Sequence, residues 1–335
     1  MTVYGLWQLA NGAGNIHDCR KLSARLEQLT ASDADEELRL QAHHSGWATC
    51  LFAGEPAAAL EHSEAGRRLY DLERHRHHRH IYGGHDPGLC ARYLGAQAVW
   101  TLGHPDSALA LGKEALTMSE RIAHPFSRGL GLQYFAMLHL DRCEPEPALQ
   151  LIAMVDALVA EHRIGLVLDL ALLRGAALIL QGAQHEAAAR LREALADRRA
   201  APRLRCYGLA KLAEALARSN GAAAVTVAAE GLNVAKQTGH RQWMAELYRF
   251  KGEALLGLNL PDDGAKAFEE ALRVARGQGA KAYELRAAMS LAKLWGEQSR
   301  RAEAHDLLMP IYDRFTEGFG TVDLIKAKSL LDQLA

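Results

Sequence analysis

Two stretches set side by side decide the fold: LLRGAALILQGAQHEAAARLREAL (172–195) and RFKGEALLGLNLPDDGAKAFEEAL (249–272). Each reads as a helix with a glycine near its middle, a short polar or Gly/Pro turn, and a second helix opened by a small residue. Gly175 falls opposite Gly252, Ala187 opposite Gly264, Leu191 opposite Phe268 and Ala194 opposite Ala271. The offsets have a packing reason. Antiparallel helices approach closely only where a side chain is no larger than alanine, and a Leu or Phe then fills the space beside the crossing.

The residue that opens the second helix recurs as Ala59, Ala108, Ala148, Ala187, Ala224, Gly264 and Ala304, at intervals of 49, 40, 39, 37, 40 and 40. A fixed period of this size marks a helical repeat array. The pattern is that of tetratricopeptide repeats whose helices run about a turn longer than the usual ~34-residue unit allows. The one long interval marks an insertion at RHRHHRHIYGGHD (74–86). We therefore expect an all-α, tetratricopeptide-like superhelix of seven to eight hairpins forming one solenoid over 1–335. It would carry an irregular hairpin in 1–34, a His-rich inserted loop at 73–86 and a capping helix in 320–335. The expected pairs are 35–53 with 56–72, 87–103 with 105–122, 126–140 with 145–162, 165–182 with 184–199, 202–219 with 222–238, 241–258 with 262–278, and 281–298 with 300–315. Thr321 is expected to cap the last helix, whose Val322, Leu324, Ile325, Leu330, Leu331 and Leu334 fall on or near one face and would cover the exposed end of the array.

Composition fits that reading. Aromatics are 6%, there are nine prolines, and no Val/Ile/Thr alternation suggests a strand. With 39 basic and 40 acidic residues the net charge is −1, which gives no electrostatic reason to expect nucleic acid or an anionic membrane. The basic run Arg74–His80 and the arginines Arg198, Arg199, Arg203 and Arg205 sit at helix ends and read as solvated loop. Cysteines at 19, 50, 90, 143 and 206 stand singly, as expected of small core residues in a reducing cytoplasm. The apolar segment 164–180 is broken by Asp169 and Arg174, which argues against a membrane span.

Several strings go beyond what repeat packing requires: YGGHDPGLC (82–90), VWTLGHPDSAL (99–109), AHPFS (123–127), TGH (238–240) with WMAELYRFKGEALL (243–256), QGAKAYELRAAMSLAKLW (278–295) and FTEGF (315–319). In these the chain resembles the C-terminal helical-repeat region of bacterial signalling ATPases. There a class III nucleotide cyclase or DNA-binding domain precedes a STAND-type ATPase and then the repeat array. The resemblance covers nearly the whole chain and implies a sensor arm. Gly320 departs from the acidic residue usual after FTEGF. There is no G-x-x-x-x-G-K-[ST] phosphate loop and no β-rich cyclase core, so neither activity is expected here. The opening YGLWQLANGAG looks like the early repeat region of that family, which leaves open a fragment or a stand-alone arm.

Catalytic and metal motifs are weak. His75, His77, His78, His80 and His85 with Asp86 could chelate a transition metal if the insertion folded back, but a solvated loop is the stronger reading, and no metal or cofactor is expected. His185-Glu186 is followed by Ala189 where a zincin helix needs histidine, and G-x-S-x-G is absent. Trp7, Trp47, Trp100, Trp243 and Trp295 read mostly as packing between repeats, with Trp100 the one to test as a contact.

The concave surface is the candidate site. In such solenoids the first helix of each pair lines the inner face, which here places Tyr93, Gln97, Trp100, Gln133, Asp169, Tyr207, Glu214, Glu246, Arg249, Glu253, Arg286 and Lys293 in the groove. Glu246, Arg249 and Glu253 also suit a solvated intrahelical charge ladder. The expected function is non-catalytic binding of a protein or peptide partner, or of a neighbouring ATPase or cyclase domain. The alternative is a small-molecule inducer held in the groove. The Lys/Asn/Arg set that clamps a peptide carboxylate is not recognisable locally.

Overall fold

The computed structural model describes residues 2–31, 35–165, 170–196 and 204–335. Among them are eighteen helices and no strand. An opening pair, α1 (Thr2–Gly12) and α2 (Ile16–Thr30), is followed by α3 (Glu36–Phe52) and α4 (Pro56–Leu69). After a four-residue α5 (His78–Ile81) come the pairs α6 (Pro87–Thr101) and α7 (Pro105–Ile122), and α8 (Pro125–Asp141) and α9 (Pro145–His162). Then follow α10 (Leu170–Leu180) and α11 (Gln184–Ala196), α12 (Arg205–Leu216) and α13 (Gly221–Thr238), and α14 (Met244–Gly257) and α15 (Pro261–Gln278). The chain ends with α16 (Lys281–Glu297), α17 (Arg301–Tyr312) and α18 (Val322–Leu334). Apart from the short α5, each helix packs on the next, and alternate helices touch across the repeats, giving a tetratricopeptide-like superhelix.

Turn chemistry explains the hairpins. In six of them the N–H just before the second helix donates to a carbonyl five residues back: Glu55 to Cys50, His104 to Val99, Glu144 to His139, Ala183 to Leu178, Leu260 to Leu255 and Arg300 to Trp295, at 2.8–3.1 Å. Closing that bond requires a left-handed residue, found at Gly54, Gly103, Cys143, Gly182, Asn259 and Ser299. Proline then opens α4, α7, α9 and α15, where its missing N–H would have had no helical partner. The crossings follow the aligned pattern. A methyl group on Gly175 would lie 2.6 Å from Leu191 Cγ, and one on Gly252 would lie 2.5 Å from Phe268 Cε1, so the matched pairs make the same contact. Ala59, Ala108, Ala148, Ala187, Ala224 and Ala304 are all buried, as is Gly264.

The superhelix bends until distant hairpins meet. The Phe52 carbonyl accepts from the Arg241 N–H at 2.8 Å, and the Gln278 amide donates to the Arg241 carbonyl at 2.8 Å. The Glu317 carboxylate accepts from the backbone N–H groups of Asp106 and Ser107 at 3.0 and 2.8 Å, satisfying the open N-terminus of α7. Gly318, at φ +79°, packs against Pro105, where a Cβ would lie 2.0 Å from Pro105 Cγ. Arg142 Nη1 donates to the Pro105 carbonyl, and Arg286 Nη2 to that of Asp141. The string GHPDS thus meets the string TEGF more than 200 positions later.

Two expectations are corrected here. The insertion is not a solvated loop at its centre: His75, His78 and Asp86 are fully buried, and His78 bridges Gln41 and Glu37. Asp86 is a helix cap, accepting from the Leu89 N–H and from the Tyr70 hydroxyl, rather than an available ligand. Thr321 precedes α18, but its hydroxyl donates back to the Gly318 carbonyl at 2.6 Å instead of accepting from the helix. Arg198, Arg199 and Arg203 lie outside the described residues, while Arg205 pairs with Glu230. Among the described residues no helix is long and apolar enough to cross a membrane.

Candidate binding channel

The inner face is not one open groove. Arg286, on α16, sits at its centre and divides it. The guanidinium donates to Asp323 at 2.8 Å and to Glu246 at 3.4 Å, and lies over the Trp100 ring at 5.1 Å. Trp100 is 3% exposed, so it is a floor for Arg286 rather than a contact open to a partner. Tyr283 meets the same ring edge-on.

The division decides what became of the expected groove residues. Gln97, Gln133 and Tyr207 are buried, which corrects their reading as groove surface, while Tyr93, also nearly buried, stands in the wall of a second cavity on the N-terminal side. Gln97 donates to the Tyr134 carbonyl at 3.0 Å, and Tyr93 stacks on Tyr134 with centroids 4.9 Å apart. Asp169 lies outside the described residues. Glu246, Arg249 and Glu253 make the ladder bonds, with Arg249 bidentate on Glu246 at 2.7 and 2.8 Å and reaching Glu253 at 2.5 Å. The inner part of the ladder is buried, however, not solvated, since Glu246 is 4% exposed and the Arg249 side chain 12%, and only Glu253 reaches the open side. Glu214, Glu253 and Lys293 line the part that stays open.

That open part, on the C-terminal side of Arg286, is a cavity of about 410 Å³ walled by α12, α14, α16 and α18, with Leu140 of α8 and Leu180 of α10. Its charged lining is Lys211, Arg218, Arg249, Arg286, Lys293 and Lys326 against Glu214, Glu253 and Asp323. Lys211 is matched by Glu214 at 2.9 Å, and Arg249 and Arg286 by the acids already named. Arg218, Lys293 and Lys326 have no ion-pair partner among the described residues, and all three are exposed at the mouth. The excess charge therefore faces a visitor. Burial by itself would raise the Glu246 carboxyl, but Arg249, Arg286 and Lys211 outweigh it and hold the group at about 2. Asp141, behind the same cluster, goes the other way: burial raises it to about 6 against the pull of Lys211 and Arg286.

On the N-terminal side lies a second cavity of about 290 Å³, lined by Trp7, Gln8, Asn11, His44, Phe52, His85, Cys90, Tyr93, Phe126 and Tyr134 among others. No Asp, Glu, Lys or Arg lines it. Burial first, then the charges of His85 and His78, pushes His44 well below the usual imidazole range, so this ring is neutral. The sequence reading missed Arg218, Lys326 and Asp323 at one cavity and His44 and Cys90 at the other. None belongs to a local motif, because α3, α6, the end of α12 and the capping helix α18 bring them in from separate parts of the chain.

No family model matches the chain. An uncharacterised protein of Rhizobium meliloti (strain 1021) is 26% identical over 304 residues, covering 87% of this chain and 28% of its own length. The chain thus spans little more than a quarter of that relative. Among solved structures, the apo form of the quorum sensor NprR from B. thuringiensis aligns with a TM-score of 0.50 at 16% identity, over 89% of this chain and 82% of that one. A Rap protein complexed with competence and sporulation factor gives 0.48 at 13% identity, over 99% and 86%. A signal transduction ATPase with numerous domains and a tetratricopeptide repeat sensor, from Pyrococcus horikoshii, gives 0.31 at 13% identity, over 96% and 42%. The likeness to NprR is one of fold.

Proposed function

We propose that this chain is a non-catalytic sensor arm whose cationic cavity captures an acidic peptide segment. The observation that carries the reading is the convergence of Arg218, Lys293 and Lys326, from two separate hairpins and the capping helix, on one mouth without acidic partners. Unpaired cations around a concave site attract an anionic partner and speed its encounter. The arm belongs to a longer signalling protein or acts beside one, an ATPase with a cyclase or transcriptional output. The resemblance in the turn strings supports that placement, and the relative matched over 28% of its length is a longer chain, as such a placement requires. Capture at the cavity would then release an autoinhibited ATPase.

The test is fluorescence anisotropy of the full chain with a labelled ten-residue peptide of alternating Glu and Leu, and with its Lys counterpart. The acidic peptide should bind, with affinity falling as salt rises, and the Lys peptide should not. Arg218→Glu, Lys293→Glu and Lys326→Glu together should weaken binding at least tenfold. Equal binding by the triple variant would overturn the proposal. A second reading, a small-molecule inducer, is favoured by the uncharged cavity, whose size and aromatic lining suit a compact ligand. Such a ligand would be insensitive to the triple variant and to salt.

A further inference from the structure

His44 comes from α3, His85 from the insertion and Cys90 from α6, and their ligand atoms lie within 4.8 Å of one another. The hydrogen bonds behind them fix which ring nitrogens carry protons. The Glu37 carboxylate only accepts, so His78 Nε2, 3.3 Å away, is the protonated nitrogen. His78 Nδ1 then accepts from the Gln41 side-chain NH₂ at 2.7 Å. That orientation turns the Gln41 amide oxygen toward His44 Nδ1 at 3.0 Å, which must be the donor; the Tyr4 oxygen, 2.8 Å from the same nitrogen, shares that proton. On the other side, His85 Nδ1 stands 3.0 Å from the Gly83 carbonyl oxygen and must also donate.

Neutral rings protonated at Nδ1 present a lone pair at Nε2. The two Nε2 atoms face each other 3.1 Å apart. Two lone pairs at that separation repel unless a proton or a metal ion is shared between them. Two imidazole nitrogens each about 2.0–2.1 Å from one tetrahedral zinc stand roughly 3.3 Å apart, close to what is seen. The Trp47 indole N–H donates to Cys90 Sγ at 3.4 Å and fixes where the sulfur points. All three side chains line the uncharged cavity.

We propose that His44 Nε2, His85 Nε2 and Cys90 Sγ form a zinc site whose fourth position opens on the uncharged cavity. The set is borderline-soft, as zinc prefers, and three protein ligands with one open position is the arrangement that takes an external ligand. The chain Glu37–His78–Gln41–His44 is the outer support, holding one ring in its tautomer and orientation. It also accounts for the buried His78 at the heart of the insertion. The site is independent of the cationic cavity.

The full chain, stripped with chelator, is titrated with Zn²⁺ in a calorimeter and with Co²⁺ by absorbance. One ion per chain is expected, with a thiolate-to-cobalt charge-transfer band in the near ultraviolet. Cys90→Ser should abolish the band, His85→Ala should weaken Zn²⁺ binding at least 100-fold, and Gln41→Leu, one shell out, about 10- to 100-fold. The double variant His77→Ser/His80→Ser, at exposed histidines of the same insertion, should bind as the parent does. A parent chain with neither Zn²⁺ heat nor a cobalt band overturns the proposal whatever the variants do. So does binding that survives both Cys90→Ser and His85→Ala, or that disappears with the exposed pair.

Discussion

The two cavities share one inner surface and differ in nearly everything else. The C-terminal one is walled by nine charged side chains, the N-terminal one by aromatic, imidazole, amide and thiol groups with no Asp, Glu, Lys or Arg. Each has an element outside the regular repeats in or beside its wall, the capping helix α18 supplying Asp323 and Lys326, and the His-rich insertion supplying His85. The repeats provide a frame, and the irregular pieces at its two ends set the chemistry. Arg286 keeps the two apart by using its whole guanidinium on Asp323, Glu246, the Asp141 carbonyl and Trp100.

Arg286→Met should break the comparison outright. It leaves the buried Glu246 with Arg249 as its remaining close cation and deprives Asp323 of its partner, so a loss of about 3–5 kcal/mol in urea unfolding is expected. A loss below 1 kcal/mol would mean the centre is not a structural divide.

The pH response of the charged side sharpens it. Asp141 binds its proton more tightly folded, at about 6, than unfolded, near the ordinary 3.8. Its contribution is present in full below pH 4 and is lost as pH rises to about 6, a change on the order of 3 kcal/mol. Asp141→Asn should therefore melt higher than the parent at pH 7, and the gap should close toward pH 4. Glu246, held at about 2, acts oppositely, adding stability above pH 4.5 that fades on acidification. A gap independent of pH would refute the assignment to Asp141.

Glu317→Gln should be milder, costing about 1–2 kcal/mol because a charged acceptor for two α7 N–H groups becomes a neutral one. Hydrogen exchange should quicken at Asp106 and Ser107 while α3 and α4 stay protected. Lys326→Glu should be smallest in stability, within about 0.5 kcal/mol for an exposed unpaired side chain. Its effect should be on acidic-peptide affinity instead, and unchanged affinity would exclude Lys326 from the site.

The helices and their pairing were legible because the signal is local. Small residues at Gly175 and Gly252, left-handed turns at Gly54, Gly103 and Gly182, and prolines 56, 105, 145 and 261 at helix starts act within a hairpin and repeat with it. The site was legible only in part. Arg249, Arg286, Glu253 and Lys293 were found by their offset from the central small residue, but that offset says which way a side chain points, not whether another hairpin covers it. Trp100, Gln133 and Tyr207 point inward and are covered.

By itself, then, the sequence determined an all-α array of long hairpins with an insertion near residue 80 and a last amphipathic helix, since periodicity and turn chemistry act over a few residues. Only the tertiary structure decided that the array closes on itself, that TEGF meets GHPDS, and that Arg286 divides the inner face into a charged and an uncharged chamber. Those contacts join residues 37 to more than 200 positions apart, and their geometry depends on the accumulated rotation of every hairpin between them. No period in the sequence records that sum.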